Sequence, residues 1–354
     1  MLACSGCYCN LFALNICRMI LCNFFRLLKI RFELLHQHSF GHPFYQCELA
    51  KVEQESKKVR FVFVSSSSYP YHESLNYIRQ YFHVIMLPPL IMRLLIKLGV
   101  INQNLRIDPL FDYSQILNSK FRRYLLSSQF SLYPSQPKHI LMVSRNRNQM
   151  LEAQYNESIR DISLSSDNQI VDNTFNSSEL ISRSLDVVVF SSYKSKKVRP
   201  PSTISQISWA DVVVSTNTGP YVAAESLGKP VFLYNVCPIF GTNGYHKSFD
   251  YLLPALLTQA SSGDPLSLAY ILRRGLHLLS EDDVFSLGFK YSPVPESVIC
   301  TSFIEYLNFL GKNNFQLSEK QITWRTVVTR MTGILNPPII PEAYFDAFPM
   351  LLLS

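Results

Sequence analysis

The residues best suited to chemistry lie within Ser205 to Asn235, SQISWADVVVSTNTGPYVAAESLGKPVFLYN. Val212-Val213-Val214 is short, β-branched and apolar, which predicts a buried strand. Ser215-Thr216-Asn217-Thr218-Gly219 follows, small and polar, ending in a residue that lets the backbone approach a ligand closely. Pro220 suits the first turn of a helix that continues to Leu227, with Glu225 one turn further in. Gly228 closes that helix as a left-handed cap, Lys229 sits by its negative end, and Pro230 blocks continuation. Val231 to Tyr234 makes the second strand. The whole is one βαβ unit with its polar loop at the carboxyl end of the first strand, where open parallel sheets bind ligands.

The chemistry this supports is anion recognition. Helix N-termini, glycine-flanked loops and arginines converging on one sheet edge are how α/β folds hold phosphates. The candidate ligands are Ser215, Thr216, Thr218 and Gly219, with Ser144 and Arg145 from a second strand end. Glu225 reads either as a partner for a ribose hydroxyl or as a solvated helix residue, and Arg145 as a phosphate ligand or a surface arginine. His246, beside Lys247, could be a phosphate ligand, a general acid or neither. There is no phosphate-loop GxxxxGK[ST], no GxSxG elbow and no paired-carboxylate spacing, so no catalytic residue is assigned. On the acceptor side of a transfer reaction, His72, Glu73 and His83 are the nearby candidates for a base.

Several classes are set aside by composition. The chain has 354 residues, enough for one large or two ordinary domains, and a net charge of +7. Of eight cysteines, Cys4, Cys7, Cys9, Cys17 and Cys22 crowd the first segment, which fits a reducing compartment better than a disulfide scaffold. No matching Cys/His pair follows at zinc spacing, so no metal site is expected. The basic run Lys194, Lys196, Lys197 and Arg199 lacks interleaved aromatics, so no nucleic-acid partner is expected.

These residues need a scaffold, and the pattern around them supplies one. Val59 to Ser65 and His83 to Leu87 read as strands, with helices at His72 to Tyr81 and Ile91 to Leu98. His139 to Val143 and Leu185 to Phe190 are further strands. Apolar helical stretches are expected at Phe249 to Leu257 and Leu266 to Leu279, and a C-terminal helix around Ser302 to Leu310. Strands alternating with helices predict an α/β fold of doubly wound parallel sheets. Four segments follow. Residues 1–56 are a basic, apolar leader, residues 57–137 a reduced N-terminal α/β domain, residues 138–315 a Rossmann-like half, and residues 316–354 a tail packing back. The leader has no acid before Glu33, and Arg18 interrupts its apolar stretch. That fits a presequence or interfacial anchor better than a spanning helix, and the alternative is a divergent leader that carries no address.

Over about residues 138–300 the ordered motifs resemble the Elm-type mitochondrial fission family, which has a GT-B glycosyltransferase-like fold. The resemblance is carried by Trp209-Ala210-Asp211-Val212-Val213-Val214-Ser215-Thr216, Ala224-Glu225-Ser226 and Gly228-Lys229-Pro230-Val231. Upstream, Val143-Ser144-Arg145 with Arg147 is similar to that family's strand and Ser-Arg turn. Downstream, Tyr245-His246-Lys247-Ser248, Arg273-Arg274-Gly275 and Tyr291-Ser292-Pro293 fall in the same order. The loop Thr218-Gly219 is similar to the donor-binding turn of GT-B enzymes. The resemblance implies a GT-B-like fold whose second half takes a nucleotide-sugar-type ligand and needs no cofactor. It also implies a mitochondrial fission role at the outer mitochondrial surface, with dynamin-type fission machinery as partner. The alternatives are an active GT-B glycosyltransferase using a nucleotide sugar and, for location, the cytoplasm.

Overall fold

The computed structural model describes residues 19–20, 23–25, 27–35, 41–68, 72–102, 137–144, 185–191, 203–216, 219–237, 250–279, 281–310, 316–332 and 337–352. The chain divides into two compact units, Met1–Asp108 and Pro109–Ser354. Each is built on its own parallel sheet.

The first unit runs β1 (Ile30–Leu34), α1 (His42–Lys57), β2 (Arg60–Ser66), α2 (His72–Arg79), β3 (His83–Leu87), α3 (Pro89–Lys97) and β4 (Ile101–Asn102). Its four strands are parallel, in the order β3-β2-β1-β4. Side chains alternate across a strand, and β2 shows it. Phe61 and Phe63 meet Phe82 edge-on at 6.4 and 5.4 Å. Val64 instead joins Met92 of α3 and Ile101 in a separate buried cluster. Both faces of the sheet are therefore covered, as a doubly wound unit requires.

Ile30–Leu34 and His42–Lys57, expected almost wholly within the leader of residues 1–56, are corrected by this arrangement. They supply the strand at the switch of strand order and the helix packed on it. Arg31 and Glu33 hid the strand, because charges inside an apolar run argue against burial. Here Arg31 pairs with the fully buried Glu33 and, at 3.0 Å, with Glu53 of α1. Phe32 and Leu34 pack against the cluster on the other side. The pairing lets the charged face of β1 be buried.

The second unit runs β5 (His139–Ser144), β6 (Asp186–Ser191), α4 (Thr203–Trp209), β7 (Val212–Ser215), α5 (Gly219–Ser226), β8 (Val231–Val236) and β9 (Tyr251–Pro254). It continues with β10 (Leu256–Gln259), α6 (Leu268–Arg273), α7 (Glu281–Ser286), β11 (Phe289–Ser292), α8 (Glu296–Leu310), α9 (Glu319–Thr332) and α10 (Glu342–Ala347). Its main sheet has five described strands, all parallel, in the order β6-β5-β7-β8-β9; β10 and β11 form a separate antiparallel pair. The strand order reverses between β5 and β7, which is the switch point of a doubly wound sheet.

Two helical expectations are corrected here. The apolar run up to Leu257 forms β9 and β10 rather than a helix. A continuous apolar run carries no period that separates a buried strand from a buried helix, and Pro254 ends the first strand. The run from Leu266 to Leu279 is divided into α6 and a 3₁₀ turn at Leu276–Leu278, because Gly275 turns the chain with φ +67°. The C-terminal segment closes this unit. Phe232 packs on Phe303 and Tyr306 of α8 at 5.1 and 5.6 Å. Ile339 bridges to Tyr251 at the sheet edge, and the Tyr344 hydroxyl donates to Pro254 O at 2.9 Å. The Glu305 carboxylate accepts the N–H groups of Glu342 and Ala343 at 2.9 and 3.1 Å, satisfying orphan donors at the start of α10.

Candidate functional site

The candidate site is the carboxyl edge of β5 and β7. β7 is four residues of buried Val and Ser, and β5 is a run of buried aliphatics, so both are forced into the sheet's centre. The registers then align their ends. Val143 pairs with Ser215, and Ser144 pairs with Ser191 at the end of β6. Three neighbouring strands therefore end in serine, with Thr216 next along the chain from β7. Strands lie about 4.8 Å apart, so these three strand ends form a rim roughly 10 Å across.

Two hydroxyls on this rim belong to described side chains. Ser215 is fully buried, and its Oγ donates to Val143 O at 3.4 Å, tying the two strand ends together. Thr216 is 1% exposed, and its Oγ1 has no hydrogen-bond partner among the described residues. A buried hydroxyl without a partner costs about 1–3 kcal/mol, a penalty that a polar ligand would remove.

Helix α5 begins at Gly219, just past this rim, with Pro220 as its second residue. Its first-turn N–H groups have no intrahelical acceptor and carry the positive end of the helix dipole. The other end is closed as the sequence predicts. Gly228 has φ +78°, its N–H reaches Glu225 O at 3.1 Å, and the Lys229 N–H reaches Ala224 O at 2.9 Å. That is a Schellman closure.

The sequence candidates divide as follows. Ser144, Ser215, Thr216 and Gly219 are brought to one edge by the strand register and the start of α5. Glu225 lies in the last turn of α5, about 9 Å along the axis from Gly219. It is 3% exposed, so it is not the solvated helix residue that was one of its two readings. Arg145, Thr218 and His246 lie outside the described residues. Among the acceptor-side candidates, Glu73 sits in the first turn of α2, which follows the carboxyl end of β2. His83 opens β3 and therefore lies at the amino edge of its sheet. Among the described residues, no group of His, Cys, Asp or Glu could hold a metal ion.

The amino edge of the second sheet holds a polar network that sequence reasoning missed. Asp211 Oδ2 accepts the N–H groups of Lys138 and His139 at 2.8 and 3.0 Å, and the Asp211 N–H bonds His139 O at 2.8 Å. Lys229 Nζ donates to Ser208 O and Ala210 O, both at 2.7 Å. Lys229 follows the C-terminus of α5, where its N–H closes the helix, and its ammonium serves the C-terminus of α4. Burial lowers the Lys229 pKa, and nearby Asp211 opposes the shift. Trp209 stacks obliquely on His139 at 4.7 Å. Trp209, Asp211 and Lys229 are thus framework residues, on the edge of the sheet away from the hydroxyl rim. The pairing of Trp-Ala-Asp before a strand with Gly-Lys-Pro before the next was the available signal, since adjacent parallel strands place such flanks side by side.

No family model matches the chain. No curated protein matches it either. Among solved structures, the chain is similar to the crystal structure of the glycosyl transferase family 9 protein from Veillonella parvula DSM 2008. The likeness covers 73% of this chain and 95% of that one, at 11% identity and a TM-score of 0.35.

Proposed function

We propose that the second unit binds a nucleotide-sugar-type ligand at the carboxyl edge between β5 and β7. The observation that carries this is the buried Thr216 hydroxyl, without a partner among the described residues, at the switch point of the sheet. In this reading the diphosphate lies against the start of α5 and the hydroxyls of Ser144, Thr216 and Thr218, while Ser215 ties the two strand ends together. Gly219 lets the backbone approach. Arg145, next along from Ser144, supplies the charge, and Glu225 and His246 contribute to the rest of the ligand. Two units, each with its own parallel sheet, support placing the chain on a GT-B-type plan.

The test is thermal denaturation and calorimetric titration with UDP, GDP and ADP and their sugar conjugates. Stabilisation by at least one of them, weakened by Arg145→Ala, is the expected result. No shift and no heat with any of them overturns the proposal.

The finer reading is an Elm-type fission factor at the outer mitochondrial surface, working with dynamin-type machinery on a glycosyltransferase-like scaffold. Its support is the ordered set of motifs from Val143 to Pro293. The framework role of Trp209, Asp211 and Lys229 favours retention of a scaffold, since these motif residues hold the sheet rather than the rim. A tagged chain that stays cytosolic, and whose loss leaves mitochondrial shape unchanged, contradicts this reading. Transfer of sugar from a bound nucleotide sugar to an acceptor would make the chain an active glycosyltransferase instead.

A further inference from the structure

Among the described residues, one face of the first unit joins exposed apolar side chains to cations, with no acids in its sequence. Helix α3 reads PLIMRLLIK. Met92 is buried in the core cluster, and Leu95 and Ile96 pack against it. The outward stripe is Leu90, Arg93, Leu94 and Lys97, spaced i, i+3, i+4 and i+7, which places them on one side of a helix. All four are exposed, Leu90 at 79%, and Ile91 beside them is exposed as well.

A second exposed apolar segment lies on the same side of the sheet. The backbone is helical at residues 19–20, 23–25 and 27. Phe25 meets Phe32 of β1 edge-on at 4.8 Å, and Phe32 packs against the Val64–Met92–Ile101 cluster that α3 covers. Phe24, Leu27 and Leu28 are left outward, Leu27 at 83% exposure, with Lys29 exposed next to them. The sequence contains no Asp or Glu from Met19 to Phe32 or from Pro88 to Asn102. The opposite side of the sheet differs. There α1 and α2 carry Glu48, Glu53, Glu55 and Glu73, and Lys51 and Lys57 are paired with Glu48 and Glu53.

We propose that this face docks on an anionic lipid surface. Large apolar side chains interleaved with cations and free of acids suit the boundary between headgroups and acyl chains. The exposed leucines enter the interface while Arg93, Lys97 and Lys29 meet lipid phosphates. Among the described residues, no helix is long and apolar enough to cross a membrane, so the contact made by these elements is peripheral. The proposal stands on the first unit and does not depend on the ligand site of the second.

The test is co-sedimentation of the full chain with vesicles of phosphatidylcholine, with and without phosphatidylserine. The expected result is binding to the anionic vesicles that falls as salt rises. Paired Arg93→Gln and Lys97→Gln should lower the affinity roughly thirtyfold. Paired Leu90→Gln and Leu94→Gln should abolish sedimentation while leaving the melting temperature unchanged, because both side chains are already exposed. The proposal is overturned by no binding to anionic vesicles, by equal binding to both compositions, or by full binding in both variant pairs, which would assign the contact to another segment. A drop in solution mass with the leucine variants, without loss of lipid binding, would assign the face to a second copy of the chain and also overturns it.

Discussion

Lys229 Nζ donates to the Ala210 carbonyl oxygen at 2.7 Å, joining the entry to β8 to the entry to β7. The same ammonium takes Ser208 O, so one side chain closes the end of α4 and fixes the spacing of two adjacent strands. Lys229→Met removes a charge-assisted pair from a half-buried position and should cost about 1–2 kcal/mol. Urea denaturation measures it. Ligand affinity of the folded variant should be unchanged, since the carboxyl rim lies at the other edge. An affinity loss without a stability loss would contradict the framework role.

Asn235 stands in the left-handed region at φ +50°, and its Oδ1 accepts the buried Val294 N–H at 2.7 Å. Asn235→Ala combines backbone strain with an unsatisfied N–H, and should cost about 2–4 kcal/mol. Asn235→Gly relieves the strain and leaves only the lost bond, so it should be the milder change. Equal denaturation midpoints for the two variants would show that the backbone conformation is unimportant.

Glu305 gives a pH dependence with a definite sign. Burial is the main cause raising its pKa above the ordinary value of 4.5, and the N–H groups of Glu342 and Ala343 pull the other way. As pH rises from about 4.5 through the folded-state value, the folded chain holds more protons than the unfolded one. Stability therefore falls across that window and levels off above it. Glu305→Gln should flatten this slope in denaturation curves taken at successive pH values. A slope that persists unchanged would mean that other groups set it.

The sequence made the central βαβ unit readable because its signals agree. Val212 to Val214 are β-branched, Gly228 must turn left-handed, and Pro230 stops the helix. The carboxyl rim followed from the strands alone, since parallel register decides which residues share an edge. What stayed hidden depended on contacts between distant residues. Glu33 is charged in sequence and fully buried in the fold because Arg31 pairs with it. That compensation is invisible until β1 lies beside α1. Lys229 reads in sequence as a residue at the end of its own helix, and only the crossing of α4 shows that its side chain also meets the Ser208 and Ala210 carbonyls. The stretch ending at Leu257 had the apolar content of either element, and only the pairing of Phe232 with Tyr251 and of Leu256 with Ser292 makes it strand.

Thr216→Val is the most direct test of the central claim, because it removes the buried hydroxyl and keeps the side chain's shape. If that hydroxyl awaits a ligand, the substitution should leave stability unchanged or raise it by about 1 kcal/mol. Calorimetric titration with the nucleotide sugar that stabilises the native chain should then show affinity reduced roughly tenfold. Native-like affinity in a stably folded Thr216→Val chain would contradict the account, and so would a marked stability loss, which would mean that the hydroxyl already has a structural partner.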